Sequence, residues 1–127
     1  MAETLEDVVR GDRQLYEVAR DRHHVAFLAE RPVRPGHIIV CTAVVADSVL
    51  DLDAQASLRL WAFVREVALR MRSALPCNRV CFSVIGWAVR HAHVHLIPTD
   101  EAGQIPGLEG EPLSEQAQRD LVARLRS

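Results

Sequence analysis

A chain of 127 residues, 49% hydrophobic and 25% charged, suits one domain that buries a core of its own without disulfide staples. A net charge of -2 and a pI near 6.3 argue against a nucleic-acid coat or a membrane-surface role. No apolar run reaches the roughly 18 residues of a membrane helix, and the acidic, polar start does not suit a signal peptide.

The basic residues other than histidine are all arginine and are spread along the chain. The three cysteines, Cys41, Cys77 and Cys81, form no CxxC pair, which disfavours both a disulfide framework and a cysteine zinc site. The expectation is one cytoplasmic domain over residues 1–127, binding neither nucleic acid nor membrane.

In chain order, residues 1–20 carry a loose helical pattern and read as a lead-in. The apolar run 25–28 after His23 and His24 reads as a strand, with those two histidines as exposed loop residues. Residues 31–36, with two prolines and a glycine, make a turn. Residues 37–42 are strongly β-prone. Asp53 then caps a long helix in which Trp61, Val64, Ala68, Met71 and Leu75 recur every three or four positions and define one face. Arg59, Arg65, Glu66, Arg70 and Arg72 take the other side, and Pro76 ends the helix. Residues 79–85 and 87–98 read as two strands broken by Gly86. Residues 99–127 form a loop rich in glycine and proline followed by a helix over 114–126. Short-linked strands around one long helix predict an α+β fold with an antiparallel sheet of about five strands.

The segment "RHAHVHLIP" holds half of the six histidines. In a strand alternate side chains share a face, so His91, His93 and His95 form a row while Ala92, Val94 and Leu96 face a core. Such a row has three readings: surface histidines, metal ligands completed by His37, Asp100 or Glu101, or nucleophilic and acid–base catalysis.

"HAHVHLIP" resembles the signature of the histidine-triad (HIT) family, His-x-His-x-His followed by apolar residues. Pro35-Gly36-His37 with its β-strand, and the Asp-Leu before the long helix, resemble that family's upstream segment in the same order. The likeness runs from about residue 16 to 98. It implies a HIT-like fold, commonly a homodimer, and a nucleotide hydrolase or transferase acting at the α-phosphate of AMP or another nucleoside monophosphate. It further implies His93 as nucleophile, with its second ring nitrogen held by the His91 carbonyl. His95 would be the donor to a phosphate oxygen, and His37 would sit beside His91. No metal or other cofactor is implied. Phe27 and Leu28 match positions lining the nucleobase pocket, though either could be core.

Several positions depart from the family pattern. Ala29 stands where an aspartate commonly meets the ribose, leaving Glu30 as the candidate. Gly86-Trp87-Ala88 replaces Gly-Gln or Gly-Asn and a polar residue, so Gly86 and Trp87 enter the substrate-binding set and Trp87 either packs or reshapes the leaving-group pocket. Thr42 to Val45 replaces Pro-Lys-x-His, and Thr99 stands where arginine is common. The expectation is therefore a specialised substrate or reduced activity on generic AMP conjugates, with a nucleotide-binding module lacking turnover as the alternative and a histidine-ligated metal protein as a third reading.

Overall fold

The computed structural model describes residues 3–105 and 110–127. In order it contains α1 (Glu6–Arg10), β1 (Glu17–Arg20), β2 (His24–Leu28), β3 (Ile38–Thr42), a 3-10 turn (Val49–Asp51), α2 (Ala54–Ala74), β4 (Arg79–Ser83), β5 (His93–Thr99) and α3 (Glu115–Arg126). The strands form one sheet in the order β1-β2-β3-β5-β4, and every neighbouring pair is antiparallel. This is the α+β architecture expected from the sequence, with five strands, one long helix and a C-terminal helix. Residues 106–109 of the expected C-terminal loop lie outside the described residues.

α2 forms because its sequence contains no glycine or proline and its first turn is capped. The Asp53 carboxylate accepts the Ala56 N–H at 2.8 Å, satisfying a donor that has no partner within the helix. Leu60, Phe63, Val64, Val67, Ala68 and Met71 form its buried stripe. They pack on Ala26, Ile38, Val40, Val94 and Leu96 from β2, β3 and β5. Burying each large aliphatic side chain contributes about 1.5–3 kcal/mol. Val64, Ala68 and Met71 of the expected stripe are buried and Leu75 packs beside them, while Trp61 falls outside it and Leu60, Phe63 and Val67 complete it. Trp61 is 39% exposed, its ring 6.5 Å from that of Phe82 on β4.

The opposite face of the sheet is covered as well. Leu5 and Val8, from the segment around α1, pack on Val25, Phe27 and Cys41. Only part of the expected lead-in is helical, since Glu17–Arg20 is an edge strand of the sheet. Residues 87–92 do not extend β5. Gly86 has a φ of +76°, and the amides beyond it bond outside the sheet: Arg90 N–H to the Glu3 carbonyl and Ala92 N–H to the Ala46 carbonyl, each at 2.7 Å.

His24 departs from its expected place in an exposed loop. It begins β2, is buried, stacks on Phe63 with centroids 4.9 Å apart, and places Nδ1 3.0 Å from the Asp21 carboxylate. Burial is the largest influence on this histidine and lowers its pKa, while Asp21 opposes the shift.

Candidate active site

Antiparallel register brings the histidines together. Cys41 of β3 lies opposite His93 and Ile39 opposite His95. The start of β3 therefore meets β5 at the His95 end, and His37, just before β3, reaches His95 rather than His91. The expected pairing of His37 with His91 is corrected by this register.

Each ring's protonation follows from partners that can act in only one sense. His91 is wholly buried. Its Nδ1 accepts the Leu5 N–H at 3.0 Å, and its Nε2–H donates to the Thr42 carbonyl at 2.7 Å. An amide can only donate and a carbonyl can only accept, so the ring is neutral with its proton on Nε2. Burial is the main cause lowering its pKa.

His93 donates Nδ1–H to the His91 carbonyl at 2.6 Å. In the neutral tautomer this bond selects, Nε2 is the nitrogen left with the lone pair. His37 Nδ1 accepts the Val33 N–H at 3.0 Å, which places the His37 proton on Nε2. That Nε2–H donates to His95 Nδ1 at 2.9 Å, leaving a donor at His95 Nε2. Burial lowers the pKa of His37 and, with smaller contributions from His93 and His37, takes His95 down to about 4. The His95 ring centroid stands 5.1 Å from those of His93 and His37.

His93 and His95 open into a cleft of about 280 Å³, walled by Leu5, Ile39 and Val89 and by the loop Ile85-Gly86-Trp87-Ala88. Among the described residues, the lining includes no arginine and no carboxylate. Trp87 is 80% exposed, so it is not packing at a strand start.

Phe27 lines a separate cleft of about 200 Å³ with Val8, Arg13, Leu15 and Glu17. Leu5, Ile39 and Val89 of the histidine cleft belong to the same apolar cluster as Val8 and Phe27, so the two clefts adjoin. Leu28 lies elsewhere. Strand alternation turns it to the α2 side of the sheet, where it is 38% exposed. Glu30 is on the surface, away from the histidines, in an ion pair with Arg13, which lines the Phe27 cleft.

The sequence reading passed over Leu5, the Val33 amide and the Thr42 carbonyl. The two backbone groups carry no side-chain signal. Leu5, Val8 and Val9 do have the i, i+3, i+4 spacing of a buried helical face.

A five-stranded antiparallel sheet with a row of imidazoles fixed by backbone groups, and by one ring-to-ring bond between His37 and His95, beside an open cleft defines the class of this protein. The HIT domain matches residues 13–102, and the chain belongs to the HIT family. It is 25% identical over 103 residues to an uncharacterized HIT-like protein of Mycoplasma genitalium, covering 77% of this chain and 73% of that one. It is 27% identical over 73 residues to a bis(5'-adenosyl)-triphosphatase of Dictyostelium discoideum, over 54% of this chain and 49% of that protein. The crystal structure of a HIT-family member from Bacillus subtilis superposes with a TM-score of 0.82 at 19% identity, covering 94% and 92% of the two chains, which shows a shared fold.

Proposed function

We propose that this chain is a nucleotidyl hydrolase or transferase that cleaves a nucleoside monophosphate, AMP by preference, from its leaving group through a nucleotidyl-histidine. One observation carries the reading: the His91 carbonyl accepts the Nδ1–H of His93 and so turns Nε2, the lone-pair nitrogen of the neutral ring, toward the cleft. That nitrogen attacks the α-phosphorus. A P–N bond forms, and the bond to the leaving group breaks with its electron pair, which is then protonated. Water or another acceptor reverses the substitution and releases the nucleotide. His95 Nε2–H is a neutral donor available to a phosphate oxygen as charge develops.

The Phe27 cleft suits the base, with Glu30 near its rim, and Gly86 and Trp87 suit the leaving group. A histidine-ligated metal is disfavoured by the donors themselves. Both nitrogens of His91 and of His37 are engaged in hydrogen bonds.

We further propose a homodimer joined across β4 and α2. β4 ends the sheet with an open edge, and Trp61, Leu69 and Phe82 line an exposed groove of about 640 Å³ beside it. Light scattering behind gel filtration reads this directly, and a monomer at micromolar concentration contradicts it. Three free cysteines favour a cytoplasmic location. No described helix is long and apolar enough to cross a membrane.

A nucleotide-binding module without turnover is the second reading, favoured by the absence of a polar side chain at Ala29 and Ala88. The test is AMP release from adenosine 5′-phosphoramidate by the wild type and by His93→Ala, with calorimetric binding of AMP alongside. Release that vanishes in His93→Ala supports the enzyme. Binding without release by the wild type supports the module.

A further inference from the structure

Residues 3–5 run alongside residues 89–91, although more than eighty positions separate them in the chain. Glu3 and Val89 form a parallel β-bridge, and the Arg90 N–H donates to the Glu3 carbonyl at 2.7 Å. Two residues on, the Leu5 N–H donates to His91 Nδ1 at 3.0 Å, inside the protein. The segment is anchored from below, since the side chains of Leu5 and Val8 pack into the same apolar cluster as Phe27 and Cys41.

The segment that Leu5 touches lies outside the regular ladder of the sheet. Before β5 begins, its remaining ties are the Ala92 N–H to the Ala46 carbonyl, the Thr42 N–H to the Ala92 carbonyl at 3.3 Å, the His91 Nε2–H to the Thr42 carbonyl, and the Arg90–Asp47 ion pair on the surface. The His91 carbonyl in this segment is the one that accepts the Nδ1–H of His93. Whatever fixes His91 therefore fixes which nitrogen of His93 faces the cleft.

We propose that the backbone N–H of Leu5 is a positioning donor for catalysis, locking the ring of His91 and through it the orientation of His93. This rests on His93 being the nucleophile. Without that N–H, the wholly buried Nδ1 of His91 has no donor, and the ring loses one of the two bonds that set its rotation and tautomer. The His91 backbone follows, and the angle at which His93 Nε2 meets phosphorus is no longer fixed. A small misplacement of a nucleophile costs about 10- to 100-fold in rate. Leu5 also walls the histidine cleft with its side chain, so one residue acts twice by separable means.

The two roles are separated by chemistry at one position. Replacing the amide before Leu5 by an ester, with leucic acid incorporated in the full chain, removes the N–H and keeps the side chain. Leu5→Ala keeps the N–H and trims the cleft wall. We expect the ester to lower kcat for adenosine 5′-phosphoramidate about tenfold or more with little change in KM, and Leu5→Ala to act mainly on KM.

Nitrogen-15 spectra of the imidazoles provide a readout that needs no turnover. In the ester variant the His91 Nδ1 signal moves away from its hydrogen-bonded position, and the His93 Nδ1–H proton shifts or broadens. An ester variant with wild-type kcat and an unmoved His93 proton overturns the proposal, whatever happens at His91. If the wild type turns over no nucleotide, the nucleophile reading fails on its own, and the His93 proton still decides whether Leu5 positions that ring.

Discussion

The two faces of the sheet solve different problems. The face under α2 is apolar at its centre, with Val40, Leu60, Val94 and Leu96 wholly enclosed, and its buried polar groups, His24 bonded to Asp21 and Thr42 bonded to the Val44 carbonyl, lie at the end of the strands. The other face is equally covered around Phe27 and Cys41 but carries His91, His93, His95 and His37 beside it. There each ring is held by a directional bond to a backbone amide, a backbone carbonyl or another ring. No buried side-chain nitrogen or oxygen among the described residues lacks a partner. Stability on the first face comes from volume and shape, whereas the second face spends its contacts on fixing protons.

This contrast predicts that substitutions on the two faces fail in different ways. The largest effect belongs to His93→Ala, which should lower nucleotidyl transfer by about a thousandfold or more while leaving the melting temperature nearly unchanged. Single-turnover release of AMP and a thermal melt check the two halves. Wild-type stability with lost turnover is the signature of the polar face.

Leu60→Ala should do the reverse. It opens a cavity under α2 and should cost about 2–5 kcal/mol in urea unfolding, with kcat unchanged in the fraction that remains folded. A loss of kcat at full folding would erase the distinction between the faces.

His37→Leu removes the donor to His95 Nδ1 and frees His95 to place its proton on either nitrogen. The expected loss in kcat is about 10- to 100-fold. His37→Gln, whose amide can donate in the same direction, should recover part of it. Equal loss in both variants would show that His37 acts by volume alone.

The polar face should also respond to acid. Burial holds His95 down to about 4 and lowers His37 and His91 as well. Unfolding returns these rings to the ordinary histidine range near 6.5. Between about pH 6.5 and 4 the unfolded chain thus binds more protons than the native one. Stability should be full above that window and fall as the pH drops through it, by about 1–3 kcal/mol for His95. Carboxylates contribute in the same direction at the acid end, so His95→Gln is the control and its stability profile should be flatter. Parallel profiles for the two proteins would place the acid sensitivity elsewhere.

The smallest predicted effect concerns choice of leaving group. Among the described residues, the cleft lining offers no arginine to a polyphosphate, and Trp87 presents an exposed indole. An aromatic amine linked to AMP should be preferred over diadenosine triphosphate, and Trp87→Ala should narrow that ratio by less than about tenfold. An unchanged ratio of kcat/KM values removes Trp87 from leaving-group selection.

Much of the fold could be read because its signals are local. The Asp53 cap, the Pro76 stop and the spacing of α2 each sit within a few residues, and alternation around His91, His93 and His95 marked the strand that became β5. The features that escaped depend on distant chain. Trp61 looks as apolar as Phe63 in sequence, and only the sheet decides which one is covered. Residues 87–92 have strand-like composition, yet their amides are taken by Glu3 and Ala46, which no local pattern announces. His24 reads as a polar residue until Phe63 closes over it. Within the site, His37 was tied to the wrong partner because register is not encoded in spacing. Leu28 was placed in the nucleobase pocket although alternation with Phe27 turns it to the other face. Leu5 was passed over because it acts through a backbone amide, which every residue except proline has.

The most direct measurement is intact-protein mass spectrometry after millisecond mixing with adenosine 5′-phosphoramidate, followed by peptide mapping under conditions that preserve phosphorus–nitrogen bonds. A transient adenylyl adduct on the peptide bearing His93, absent in His93→Ala, is the expected result. AMP released with no adduct at any time point, or an adduct carried by another residue, would contradict nucleophilic attack by His93.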